Sequence, residues 1–380
     1  MYGRLIPCLT LAILAQTAFA CLWDYDTLLV ERSRFPEIHE LIVGKFPHHS
    51  EAFYQWRIKD RLRRLTSDPD NLRLLDDLSV AYDKIGDNEL AIQTALRKES
   101  LAANTYETHA NLGTFYIHSG RFEEGLQQLD QAIEINPEAH FGREVYQKKL
   151  VEYLISRQLD GKIHFPIDTT MRRTGKRCGF ALFILGDQRL EPDKVQEEIQ
   201  QAIKGVTGMM RFGNHASPIL LEVLGDLLMA DSETDAKRLA ARAFLKASYE
   251  TDGVESKAAY REIASGLLQF QTVRQGKNTE LPLGQLEGLL RTELDAANTW
   301  HDELKADEDQ WIKDGANVEE EYREKYLTSP PSLNPSNLNS LKLLNLRPVT
   351  IGIGIMTLGT ATLLIAKRKS IKKAKVSSER

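Results

Sequence analysis

The chain has 380 residues, 42% of them hydrophobic and 27% charged, which is enough apolar material for two or three structural units and excludes a disordered protein. With 49 Lys and Arg against 54 Asp and Glu and a net charge of -5, it lacks the cationic field of a nucleic-acid-binding protein. The charge is unevenly placed, because the last fourteen residues, KRKSIKKAKVSSER, hold seven Lys or Arg and one acid.

Residues 1–20 read as a secretory signal: Arg4 supplies the positive start, Leu5 to Ala15 the short apolar region, and Ala18-Phe19-Ala20 the cleavage site. An uncleaved anchor is the other reading, and against it the apolar run is short for a hydrocarbon core of roughly 30 Å. Cleavage after Ala20 would make Cys21 the first residue and a candidate for lipidation. The match to a lipoprotein box is incomplete, with Ala18 where Leu belongs and bulky Phe19 where a small residue belongs. Loss of Cys8 with the signal leaves Cys21 and Cys178, and both a bridge between them and a buried Cys178 in CGFALFILG are open.

A helical domain is expected over residues 21–158. SEAFYQWRIKDRLRRL places Phe53, Trp56, Leu62 and Leu65 at roughly helical spacing and ends at Asp68-Pro69, suggesting a diverged hairpin. From Leu72 to Glu138 the sequence repeats with an offset of 34: Leu78, Tyr82 and Gly86 return as Leu112, Tyr116 and Gly120, and small Ala91 returns as Gly125. Leu78 and Tyr82 share a helix face, Gly86 breaks the helix, and the small residue admits close packing of the returning helix.

LSVAYDKIGDNELAIQTAL and LGTFYIHSGRFEEGLQQLDQAIEINP resemble the tetratricopeptide family, with units at 72–105 and 106–139. The first departs from the family pattern at Ser79, Lys98 and Ala103. The resemblance implies an all-α solenoid with a concave groove for a peptide or partner helix. Carried onto this chain, the family's groove positions fall on Arg73, Asp76, Val80 and Asp83, then on Glu107, Ala110, Thr114 and Ile117. They lean acidic, and the family's Lys and Asn clamp for a terminal carboxylate is missing, so the implied partner is a protein or peptide with basic or apolar anchors. A solvated helix face is the plainer reading of the same residues.

Downstream, Asn136-Pro137 is expected to start a capping helix that runs to about Arg157. Residues 159–275 form a second helical region. Phe180 to Leu185 is read as helix, and ILLEVLGDLLMA, DAKRLAARAFLKASYE and SKAAYREIASGLLQF as three more, the middle one repeat-like through Ala240, Phe244 and Ala247. Residues 276–327 read as one long amphipathic helix with Leu286, Leu290, Leu294, Ala297, Trp300, Leu304 and Trp311 on its stripe. Glu308 interrupts that stripe, which favours docking on the preceding domain over a coiled coil. Trp300 and Trp311 are either packing residues or groove lining.

Residues 328–347, rich in Ser, Asn and Pro, read as a flexible tether. The uncharged run 348–366 is long enough for one transmembrane helix, and residues 367–380 form a basic tail. Seven basic residues follow the span and two, Lys342 and Arg347, precede it, which puts the C-terminus in the cytoplasm and the N-terminal bulk outside it, facing the periplasm if the membrane is a bacterial inner membrane.

No HExxH, GxSxG, CxxC or phosphate-binding glycine loop appears, and His48, His49, His109 and His118 lack the spacing of metal ligands, so no cofactor, no metal and no enzymatic activity are expected. The reading is a membrane-tethered interaction module. An envelope enzyme using His164, Asp168, His215 or Asp226 within 160–275 is the alternative, and a structural spacer the third.

Overall fold

A computed structural model describes residues 36–169, 178–186, 191–231, 234–268 and 282–328. The expected signal, Cys21, the tether beyond Thr328, the apolar run 348–366 and the basic tail lie outside them. None of the described helices is long and apolar enough to cross a membrane.

The described residues form fourteen α-helices and no named strand. Helix α1 is the short Ile38–Val43, followed by α2 (Glu51–Leu65), α3 (Leu72–Lys84), α4 (Asn88–Leu101), α5 (Tyr106–His118), α6 (Phe122–Ile135) and α7 (Arg143–Arg157). The second half contains α8 (Gly179–Leu185), α9 (Pro192–Phe212), α10 (Pro218–Ala230), α11 (Thr234–Glu250), α12 (Val254–Leu268), α13 (Leu283–Asp314) and α14 (Val318–Tyr322). Consecutive helices pack on one another from α2 to α7 and from α9 to α12, with α9 bridging to α7 and α8 set against α7 and α10. This succession of neighbouring pairs is that of an α-solenoid.

Local chemistry sets the helix starts. Ser50, Asn71, Asp87 and Ser217 accept from the backbone N–H of Phe53, Leu74, Leu90 and Leu220, and Pro192 and Pro218 occupy first turns where no N–H is needed. The hairpins α3–α4 and α5–α6 turn identically. Gly86 and Gly120 have φ of +83° and +79°, and in each turn the N–H of the next residue, Asp87 or Arg121, donates to the carbonyl of Tyr82 or Tyr116. Close approach of α5 and α6 requires two more glycines: a Cβ on Gly125 would lie 2.6 Å from Ile117 Cγ1, and one on Gly113 2.9 Å from Leu129 Cδ2.

Three expectations are corrected. The helix after the second hairpin begins at Arg143, not at Pro137, because a 3-10 turn at Ala139–Gly142 and Gly142 with φ +72° intervene. Helix α2 packs on α3, and the upstream α1 is too short to make a hairpin with it. The amphipathic stretch of 284–327 is two helices, since Gly315, at φ +67°, ends α13 with Ala316 N–H donating to Trp311 O. Helix α14 and the π-helical turn Arg323–Leu327 after it then fold back so that Tyr322 and Tyr326 pack on Leu304, Trp300 and Trp311. The tryptophans are packing residues here, and Trp300 meets the Tyr326 ring edge-on at 5.7 Å.

If Gly125 matters through this contact, Gly125→Val will destabilise the chain by about 1–3 kcal/mol through overpacking of α5 on α6. Chemical denaturation followed by circular dichroism measures this, and unchanged stability would contradict the close contact.

Candidate functional site

The eight groove positions do not form one open surface. Val80, Ala110 and Ile117 are buried apolar packing residues. Thr114 is buried, donating to Ala110 O at 3.1 Å and accepting from Gln147 Nε2 of α7 at 3.2 Å. Asp83 is buried 2.6 Å from His118 Nδ1. Arg73 is exposed, and Asp76 and Glu107 are half-buried, so these three retain access to a partner. Lys98 of α4 donates to both Asp76 oxygens at 2.7 Å. Burial pushes the Asp76 carboxyl up to about 7, Lys98 opposes this, and the nearby Asp77 and Glu107 carboxylates add to the rise.

Helices outside the two hairpins pack on one another and reach the array at α2 and α3. Helix α1 opens with reciprocal bonds between Glu37 and Glu40, and all six of its residues are buried among α9, α11 and α13. At the end of α9, Lys84 of α3 donates to the carbonyls of Phe212 and Gly213. Helices α2 and α14 meet through charge: Arg57 and Arg61, one helical turn apart and both buried, bind Glu319, with Arg57 at 2.9 Å. Arg61 also donates to Asp77 of α3 at 2.9 Å and to Asp60 at 2.7 Å. Buried guanidinium groups need such partners, because desolvating a cation costs several kcal/mol.

Helix α13 crosses from α12 back to α2 by a row of polar anchors beside its apolar stripe. Leu290, Ala297 and Leu304 recur every seven residues and are buried. Next to them, Glu287 receives two 2.7 Å bonds from Arg261 of α12 and one of 3.0 Å from Tyr249 of α11. The Arg261 bonds hold its carboxyl down at about 2 against the effect of burial. Glu293 receives bonds of 3.2 and 3.1 Å from Arg242 of α11 and lies 2.9 Å from His39 Nε2 of α1. Burial raises that carboxyl, and the bonds from His39 and Arg242 outweigh burial and hold it at about 2. His301 follows with its ring on His48, 3.8 Å between centroids. Glu308 completes the row, fully buried, accepting from Ser50 N–H at 2.9 Å and lying 2.5 Å from His49 Nδ1. The acid that interrupts the sequence stripe is thus an internal anchor.

Of the four residues considered for acid–base work, two converge. Asp168 and Asp226 accept from the N–H groups of Gly179 and Phe180 at 2.8 and 3.1 Å, at the start of α8, with Cys178 Sγ 3.9 Å from Asp226. Glu222 joins them, accepting from Ile167 and Asp168 N–H and from Tyr260 Oη at 2.5 Å. Gly179 is needed there, because its Cβ would fall 1.9 Å from Asp226 Oδ2. Tyr153 is fully buried beside this centre, its hydroxyl without a hydrogen-bond partner among the described residues, and burial and the three carboxylates together raise its pKa. All three acids are enclosed and engaged by donors, which is the work of tying the 159–169 loop to α8, α10 and α12. His164 is exposed elsewhere, and His215 belongs to the cluster around His48. His109 lies 2.8 Å from Gln128 Oε1 through Nδ1. Among the described residues no group of three or more His, Cys, Asp or Glu is arranged to hold a metal ion.

No signal in a single sequence pairs His39, His48 and His49 with α13, some 250 positions away. The spacing of Glu287, His301 and Glu308, fourteen and then seven residues, beside the apolar row is the trace the sequence carries. No protein-family model matches the chain, and no curated protein matches it.

Because Glu308 is buried and serves both Ser50 and His49, Glu308→Ala should cost about 2 kcal/mol or more and loosen the second half of α13. Hydrogen–deuterium exchange of residues 301–328 reads this; protection equal to that of the parent would show that the anchor carries no energy.

Proposed function

We propose that the chain is a helical-repeat scaffold of the tetratricopeptide type that binds a protein or peptide, is exported, and is held at a membrane by the apolar stretch 348–366. The observation that carries the binding reading is the pair of 34-residue hairpins with matching left-handed glycine turns, which set α3 and α5 side by side with Arg73, Asp76 and Glu107 still accessible. Lys98 already meets Asp76, and Arg73, exposed, and Glu107, half-buried, add charge of both signs to this surface. A partner offering a cation to Glu107 and an anion to Arg73 fits this surface, and its binding is steered by charge and weakened by salt. Export and anchoring rest on the sequence of the two ends, the small-x-small site at Ala18-Phe19-Ala20 and the basic run after Ala366.

The binding reading is tested with the full chain in detergent, comparing the parent with the double variant Arg73→Glu, Glu107→Lys in cross-linking and affinity capture. Both positions are at least partly exposed, so helicity is expected to stay unchanged while partner retention falls about tenfold, the effect of removing roughly 1.4 kcal/mol. Equal retention by the two chains would remove the inner face from consideration. For the anchor, the chain should stay with membranes after carbonate washing and leave them only in detergent. Full release by carbonate would refute the span.

A further inference from the structure

The connection between α1 and α2 is where three distant parts of the chain meet. Phe46 is buried there, and His48, two residues later, places Nδ1 2.7 Å from Phe46 O. The His48 ring stacks on His301 of α13, 3.8 Å between centroids and 24° from parallel, and His301 Nε2 lies 3.1 Å from His48 O. His215, from the turn between α9 and α10, sets its ring edge-on to both His48 at 5.1 Å and Phe46 at 5.2 Å. His215 also backs onto Gly44, where a Cβ would lie 2.5 Å from its Nε2. Arg211 at the end of α9 donates to Pro47 O at 2.8 Å and stands over the Phe46 ring.

The charges around this cluster favour neutral rings. Arg211 from α9, Lys84 from α3, Lys246 from α11 and Lys305 from α13 surround it, and Glu308 and Asp302 of α13 act only on the His301 side. Burial, then the other two histidines, holds His48 well below the ordinary value; burial, then Lys246, His301 and Lys84, takes His215 down to about 3. Burial lowers His301 as well, against the pull of the His48 carbonyl.

We propose that His48, His215 and His301 form a proton-operated latch: uncharged, they clamp α13 onto the junction of α1 and α2, and protonated, they release it. The direction follows from linkage. The docked state binds these protons more weakly than the released state, in which His301 is freed and the rings it covered move back toward the ordinary value of about 6.5. Docking is therefore at full strength above that value and weakens as pH falls below it, by up to about tenfold per pH unit for each proton taken up. His39 and His49 also face α13, and each meets a carboxylate there, Glu293 or Glu308. Glu293 is bound by Arg242 as well. Undocking α13 would also withdraw α14, and with it Glu319, from Arg57 and Arg61.

The test is hydrogen–deuterium exchange on the full chain in detergent from pH 8 to 4.5, corrected for the intrinsic pH dependence of exchange. Protection of 283–314 is expected to fall at least about tenfold between pH 7 and 5 while that of α5 and α6 stays constant. The variant His48→Phe, His301→Phe keeps two stackable rings that cannot take a proton and leaves only His215 to titrate, so its protection of α13 should fall much less than the parent's across that range. A flat profile in the parent, or a parent-like profile in the double variant, overturns the latch. If the double variant is not folded at pH 7.5, the imidazole proton resonances of the parent decide: titration of His48 or His215 at or above about 6.5 overturns the proposal, and titration below 5 with coincident shifts of α13 amides supports it.

Discussion

A helical hairpin buries only the faces it turns toward its mate and its neighbours, so an array of hairpins is left with an inner surface that must be wetted or covered. In this chain helices outside the hairpins pack on the array at α2 and α3. Helix α1 contributes six buried residues, α9 ends on Lys84, and α13–α14 runs back from α12 to α2. The charges this buries are met from another element: Arg57 and Arg61 by Glu319, Asp83 by His118, Glu293 by Arg242 and His39. Such contacts add modest net stability, but leaving one partner out strands a desolvated charge, so they define a single register for the strap.

The helices themselves were largely legible, because periodicity and caps are local properties. The hairpin turns at Gly86 and Gly120, the packing of Gly125 for Ala91, the helix at Phe180 to Leu185 and the three helices from Pro218 all follow from spacing. Helix α9 was readable too, with Pro192 at its start and Val195, Ile199, Ala202, Val206 and Met209 along one face, and went unread. The break at Gly315 was missed because the apolar spacing from Leu304 to Trp311 continues in phase toward it. Glu308 was recognised as an exception to the stripe, but its reason, the Ser50 amide and His49, lies 258 and 259 residues upstream in sequence.

The groove positions were the least legible part. A resemblance can say which face of α3 or α5 turns inward, and it did place Val80, Asp83, Ala110, Thr114 and Ile117 on a face that something contacts. It cannot say that the contact comes from within the chain. Gln147 on Thr114 comes from α7, a helix outside the matched units, and no offset of 34 encodes it. Of the eight positions only Arg73 is exposed, with Asp76 and Glu107 half-buried.

The two buried polar clusters differ in kind. Asp168, Glu222 and Asp226 take backbone N–H groups and a tyrosine hydroxyl as donors, and backbone donors do not titrate, so that centre is a fixed tie. His48, His215 and His301 rest on rings and carbonyls, with cations close by, so their packing holds only while they stay neutral. The fixed tie joins elements of the second half to each other, whereas the histidines join the strap to the array.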